Sequence, residues 1–133
     1  MKLAAPLMTL LLIACAAKQP TGPCGEGFCL PHDAQLLDRQ THVEDFNLYQ
    51  VAWRGAWFEI YEGNHPKGLN DNGGAVFELP IRRAGTLRVS GERGSVIFDT
   101  QSKWPAYVNV IGHCQSTENC AVKSLALEMS LRS

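Results

Sequence analysis

The sequence predicts an all-β protein, or a mainly β protein with one short helix. We expect a single small antiparallel sandwich or partly closed barrel of about seven strands. Two observations carry this prediction. From Phe46 onward, apolar and polar residues alternate with a period of two, which is typical of strands with one face on a core. Four cysteines follow the N-terminal segment, so we expect disulfide bonds to staple the fold.

The N-terminal segment is an apolar run preceded by one positive charge, Lys2, and it contains no acidic residue. The run Leu3–Ile13 is shorter than the about 20 residues of a membrane-spanning helix. A charged start, a short apolar run and small residues after it are the pattern of a secretory signal peptide. The end of the run, Leu12-Ile13-Ala14-Cys15, resembles the lipobox of bacterial lipoproteins.

This resemblance implies cleavage before Cys15, with a diacylglycerol on its thiol and a fatty acyl chain such as palmitate on its amine. Ala16 stands where an Asp would favour retention in the inner membrane, so the resemblance implies an anchor in the outer membrane, facing the periplasm. The alternative is ordinary secretion, because Ala14-Cys15-Ala16 also fits the small-x-small cleavage site of a soluble secreted or periplasmic protein.

The chain therefore divides into three parts: a signal peptide over residues 1–14, a lipidated Cys15 with a flexible tether over residues 15–23, and one β-rich domain over residues 24–133. Twelve basic and 13 acidic residues give a formal net charge of −1. Such a balance lacks the basic footprint of a nucleic-acid-binding protein.

The four remaining cysteines are Cys24, Cys29, Cys114 and Cys120. In an oxidising compartment they form two disulfides with three alternative connectivities. We favour a crossed pattern that joins the start of the domain to its end, because closing a long loop removes more entropy from the unfolded chain. Local pairing, Cys24 to Cys29 and Cys114 to Cys120, is the alternative. Neither spacing is C-x-x-C, so we expect no metal and no cofactor.

Before the alternating region, Asp33–Gln40 predicts a short helix or a structured loop, because Asp33 can cap a helix. The next two runs, Phe46–Trp53 and Ala56–Tyr61, flank Arg54-Gly55 and predict a hairpin. Its expected register pairs Trp53 with Ala56, Val51 with Phe58, Tyr49 with Ile60, Ala52 with Trp57, Gln50 with Glu59 and Leu48 with Tyr61.

Three further strands are predicted as a meander. A three-residue loop, Arg83-Ala84-Gly85, sets Ile81 opposite Leu87 and Leu79 opposite Val89. A four-residue loop, Gly91–Gly94, then sets Val89 opposite Val96 and Leu87 opposite Phe98. Tyr107–Gly112 predicts another strand. For Ala121–Leu131 we favour a strand over a helix, because four apolar residues alternate strictly.

Six of the 11 aromatic residues lie between positions 46 and 61. They predict either a core or, through Trp57 and Tyr61 on the second face of the hairpin, a contact patch for a protein or glycan partner. His65, in a polar loop, and the outward-pointing Arg82 and Arg88 are further candidates for partner binding.

No catalytic signature occurs: the four histidines form no zinc-binding spacing, and no nucleophile motif is present. We therefore expect a non-catalytic binding or inhibitor module that acts on a periplasmic protein or glycan. The alternatives are a small envelope hydrolase using His65 or His113, and a structural subunit of an envelope assembly.

Overall fold

The computed structural model describes residues 21–65, 77–81 and 85–132, with only the backbone of residues 42, 43, 77–79 and 81. These residues form ten strands and one helix. The elements are β1 (Thr21–Cys24), β2 (Phe28–Pro31), β3 (Gln35–Val43), β4 (Phe46–Trp53), β5 (Ala56–Gly63), β6 (Phe77–Ile81), β7 (Gly85–Ser90), β8 (Arg93–Asp99), β9 (Tyr107–His113), α1 (Ala121–Glu128) and β10 (Ser130–Leu131).

Two antiparallel sheets form the fold. The large sheet has seven strands in the order β3-β4-β5-β9-β8-β7-β6, and the small sheet has the order β1-β2-β10. The small sheet and α1 pack on one face of the large sheet, so the predicted mainly β, disulfide-stapled sandwich with one short helix is confirmed. The large sheet is open, with β3 and β6 at its two edges.

The β4–β5 hairpin has the register that its sequence predicts, including the pairs Trp53–Ala56 and Gln50–Glu59. Arg54 (φ 48°) and Gly55 (φ 77°) both adopt the left-handed region that a tight two-residue turn requires. An arginine is unfavourable there, but its guanidinium lies 4.3 Å from the Trp53 ring centroid and forms an ion pair with Asp33. These contacts offset the backbone cost.

The meander register is two residues away from the prediction. Leu79 pairs with Leu87, and Leu87 pairs with Val96. The turn between β7 and β8 contains only Gly91 and Glu92, because Gly94 lies in β8. A Cβ at Gly94 would lie 2.6 Å from Cys114 Cβ, so this glycine allows close packing and is not a turn residue. Because the shift is even, Leu87, Val89, Val96 and Phe98 still face the core.

Two segments differ from their predicted structure. Residues 35–43 form the edge strand β3, because the Asp33 carboxylate accepts a hydrogen bond from Trp53 Nε1 (2.8 Å) and caps no helix. That hydrogen bond lowers the pKa of Asp33 below its ordinary value of 3.8. Ala121–Glu128 forms α1 where a strand was expected, and only Ser130–Leu131 is extended.

The helix forms because it buries more apolar surface than the strand would. Val122, Leu125 and Ala126 are all 0% exposed on its inner side, whereas Leu127, which the strand would have buried, is 49% exposed. Cys120 caps the helix, since its Sγ accepts a hydrogen bond from Lys123 N (3.4 Å).

The disulfides are local, so the crossed pairing was wrong. Cys24 bonds to Cys29 across the β1–β2 hairpin, and Cys114 bonds to Cys120 ahead of α1, each with a Cα–Cα distance of 4.0 Å. In both cases the partners are already opposite each other in a backbone pairing. The two pairs contact opposite ends of the large sheet, so backbone geometry outweighs the entropy of a long loop.

One buried carboxylate joins the two sheets. Glu62, near the end of β5, is 0% exposed and points toward the small sheet. Its Oε1 accepts hydrogen bonds from Glu26 N (3.0 Å), Asn47 Nδ2 (3.0 Å) and the Tyr49 hydroxyl, and its Oε2 accepts one from Gly27 N (2.9 Å). Glu62 therefore holds the loop inside the Cys24–Cys29 disulfide onto the large sheet.

Replacing Glu62 with glutamine tests this link. The side-chain amide of glutamine would place its NH₂ group against a backbone N–H or another donor. The substitution would also remove the carboxylate oxygen that accepts this hydrogen bond. We expect Glu62→Gln to lower the free energy of unfolding by about 1–3 kcal/mol, measured by urea denaturation. Glu59→Gln, on the other face of β5, should change it little. An unaltered stability for Glu62→Gln would contradict the proposed role.

Tyr49 predicts a loss of stability at alkaline pH. Burial raises the pKa of its hydroxyl above the ordinary value of 10.0, and the hydrogen bond to Glu62 raises it further. Above about pH 10 the unfolded chain loses this proton while the folded chain keeps it, so stability falls as pH rises. Urea denaturation between pH 9 and pH 11 should show a shallower decline for Tyr49→Phe than for the control Tyr107→Phe. Equal slopes would refute this account.

Candidate functional site

The large sheet has an outer face, opposite the small sheet and α1, that divides into two regions. Toward the end formed by Gly63 and Tyr107, the outer face is closed: Tyr61 is 2% exposed, and its partner Asn109 is 0% exposed. Ser95 Oγ donates a hydrogen bond to Asn109 Oδ1 (2.6 Å). Toward the Arg54–Gly55 turn, the outer face is open.

The open region contains a groove of about 640 Å³ between β5, β9 and the β7–β8 turn. We call it the Trp57 groove and define it by Gln50, Trp57, Glu59, Arg93, Ile111 and His113. Glu92 borders it at the turn. The Trp57 side chain is 71% exposed, which is the largest exposure of any large apolar residue that the structure describes.

Strand pairing explains how these residues meet. The period of two in β5 places Trp57 and Glu59 on the outer face, while Phe58 and Ile60 point into the core. Pairing of β5 with β9 sets Glu59 opposite Ile111 and Phe58 opposite Gly112. Trp57 and His113 follow one position further along, so they lie beside each other.

Two further residues complete the groove. Arg93 is the partner of His113 in the β8–β9 register. Gln50 lies opposite Glu59, and its Nε2 is 3.5 Å from Glu59 Oε2, a long hydrogen bond at the exposed surface. Four strands and one turn thus contribute to the groove.

The groove offers an apolar platform surrounded by polar groups of both signs. The indole of Trp57 and the half-buried Ile111 supply the apolar surface. Glu59 and Glu92 accept hydrogen bonds, Arg93 donates them, and Gln50 does both. Such a surface suits a ligand that has an apolar face and a polar rim.

The described histidines and carboxylates are arranged in neither a metal site nor a hydrogen-bonded acid–base pair. Within residues 21–65, 77–81 and 85–132, no group of three His, Cys, Asp or Glu residues is arranged to hold a metal ion. In this part of the chain no carboxylate forms a hydrogen bond with the His113 imidazole, as a general base and its orienting partner would require. His65 is exposed and follows β5 at the opposite end of the sheet, so the two histidines lie apart.

The two aromatic residues of the predicted contact patch differ in exposure. Trp57 and Tyr61 do share the outer face, and Trp57 is exposed, but Tyr61 is buried with its ring centroid 5.4 Å from that of Phe46. Arg88 is half-buried in β7, on the same row of the outer face as Glu59 but separated from it by Ser95 and Ile111. Cys15 and Arg82 lie outside the described residues.

Sequence reasoning missed most polar residues of the groove. The hairpin register that the sequence predicts already places Gln50 and Glu59 on the same face of the sheet as Trp57, so the sequence pattern could have identified these two residues. Arg93 and His113 were not identifiable in the same way, because their position depends on β9 lying between β5 and β8. Such an order of strands that are distant in the chain is not encoded in local alternation.

A second groove of about 570 Å³ lies on the other side of the Arg54–Gly55 turn and includes Thr21, Arg54 and Leu127. The positive charge of Arg54 in this groove is already neutralised, because its guanidinium forms ion pairs of 3.3 Å with both Asp33 and Glu128. This groove therefore offers a ligand less unpaired polarity than the Trp57 groove does.

Exposure predicts different effects for the two aromatic residues on the outer face of β5, Trp57 and Tyr61. Trp57→Ala should change the free energy of unfolding by no more than about 0.5 kcal/mol, because most of its ring is in solvent. Tyr61→Ala should cost about 3 kcal/mol or more, because it empties a packed site. Urea denaturation of both variants measures the difference. Comparable losses would mean that Trp57 is part of the core.

In comparisons with known proteins, no family model matches the chain, and neither a curated protein nor a solved structure matches it.

Proposed function

We propose that this protein is a lipid-anchored, non-catalytic binding or inhibitor module of the outer membrane that holds a periplasmic protein or glycan in the Trp57 groove. The observation that carries the proposal is the indole of Trp57, 71% exposed in a groove of about 640 Å³ and surrounded by polar side chains. The groove volume lies in the range of about 300–1,000 Å³ that is typical of ligand sites.

Exposure of such a ring favours a role in recognition. Covering a large apolar side chain contributes about 1.5–3 kcal/mol to binding, and tryptophan is enriched among the residues that dominate binding energy. The core does not depend on this ring, because the core residues of β5 are Phe58 and Ile60, which point to the other face of the sheet. Trp57 is therefore available for a partner.

The proposed anchor supports the same conclusion. Thr21 pairs with Pro31 and lies in the groove that contains Arg54, while Gly55 of the same turn borders the Trp57 groove. The domain thus starts at the end of the large sheet that carries the Trp57 groove. Five residues lie between Cys15 and Thr21, so the two are at most about 22 Å apart. A lipid on Cys15 would keep the groove near the membrane surface, within reach of an envelope partner.

The structure describes no helix that is long and apolar enough to cross a membrane. The proposed attachment to the membrane is through the acyl chains on Cys15. Each buried CH₂ contributes about 0.8 kcal/mol, and two or three chains together hold a protein firmly.

Substitution of Cys15 separates anchoring from binding. We expect wild-type protein to incorporate a labelled fatty acid and to sediment with outer membranes, and Cys15→Ser to lose both properties. Trp57→Ala should keep both but lose its partner in a pull-down from envelope extract. Leu127→Ala, which alters an exposed apolar residue outside the Trp57 groove, is the control. An unlabelled wild-type protein would refute the anchor, and retention of the partner by Trp57→Ala would refute the site.

A further inference from the structure

We infer that the occupant of the Trp57 groove is an uncharged glycan chain, with one pyranose ring stacked on the Trp57 indole. The inference rests on the proposed function and narrows the partner from a protein or glycan to one ligand chemistry. Three features of the groove carry it: the exposed indole, the mixed polar rim, and the size and charge of the space.

The indole provides the stacking surface. A pyranose ring presents carbon-bound hydrogens on one face, and these carry partial positive charge. The face of an aromatic ring is negative, so the two surfaces attract each other as well as excluding water. Trp57 stands on the outer face of a regular sheet, between neighbours on β4 and β9, so its position is set by strand pairing. The indole turns about only two side-chain bonds, so it loses little conformational entropy when a ligand covers it.

The rim provides hydrogen bonds of both kinds. Sugar hydroxyl and acetamido groups donate and accept, and the groove matches them with acceptors on Glu59 and donors on Arg93. The side chains of Gln50 and Glu59 are joined only by a 3.5 Å contact, so both can exchange it for a ligand. An apolar peptide would bury these groups without partners, which costs about 1–3 kcal/mol for each group left unsatisfied.

Size and charge complete the argument. A groove of about 640 Å³ suits a ligand of a few sugar rings. Glu59 and Glu92 oppose Arg93, and His113 adds a cation only when protonated. With both signs present and no basic excess, the groove has no preference for a polyanion. A neutral glycan fits this balance.

Titration of the detergent-solubilised, lipidated protein with a soluble N-acetylglucosamine tetramer and with a glucose tetramer tests the inference. We expect saturable binding of at least one probe, followed by tryptophan fluorescence and by the indole N–H signals in NMR spectra. Trp57→Ala should weaken binding at least tenfold, Trp57→Phe should weaken it less, and Glu59→Ala should weaken it several-fold. Trp104→Phe, which alters a tryptophan that binds Glu26 at the opposite end of the sheet, should have no effect.

Each other outcome is decisive. Glycan binding that survives Trp57→Ala would place the glycan elsewhere and overturn the inference. Failure of both probes, combined with an envelope protein that Trp57→Ala no longer captures, would overturn the glycan and keep the proposed function, with a protein as the occupant. Trp57-dependent adsorption to phosphatidylethanolamine vesicles without glycan binding would make a lipid surface the occupant. Failure of both probes, with a partner still captured by Trp57→Ala, would overturn the inference and the proposed site together.

Discussion

The structure depends on one buried carboxylate. Glu62 is inaccessible to solvent, and four donors surround it: two backbone N–H groups of the disulfide loop and the side chains of Asn47 and Tyr49. A buried carboxyl group is costly unless its hydrogen bonds are satisfied, so these donors hold the loop and the large sheet together. The Cys24–Cys29 disulfide limits the freedom of the loop that this carboxylate binds.

The position of the proposed site follows from the same strand. In β5, the residues facing inward carry the core and the carboxylate, while the residues facing outward, Trp57 and Glu59, line the groove. The small sheet and α1 close the inner face. The period of two thus places Trp57 and Glu59 away from the core, so these two residues can change with little effect on the inner face, whereas Tyr61 on the outer face is packed.

The groove itself is assembled from distant parts of the chain. Only Gln50, Trp57 and Glu59 belong to the local hairpin, while Arg93 and His113 arrive on β8 and β9. Besides the hairpin, β5 must pair with β9 and β9 must pair with β8 before the polar rim is complete. This construction gives the rim the rigidity of a sheet, which favours specific recognition by reducing the entropy lost on binding.

The sequence by itself determined the mainly β class and the strands of the hairpin with their register. It also determined the face that Trp57 shares with Gln50 and Glu59. These features follow from the alternation of apolar and polar residues and from a two-residue turn between neighbouring segments. Only the tertiary structure decided that residues 121–128 form a helix, that the disulfides are local, that Tyr61 is buried and that His113 and Arg93 lie beside Trp57. These features depend on burial against elements far away in the chain, and such packing overrides local preference.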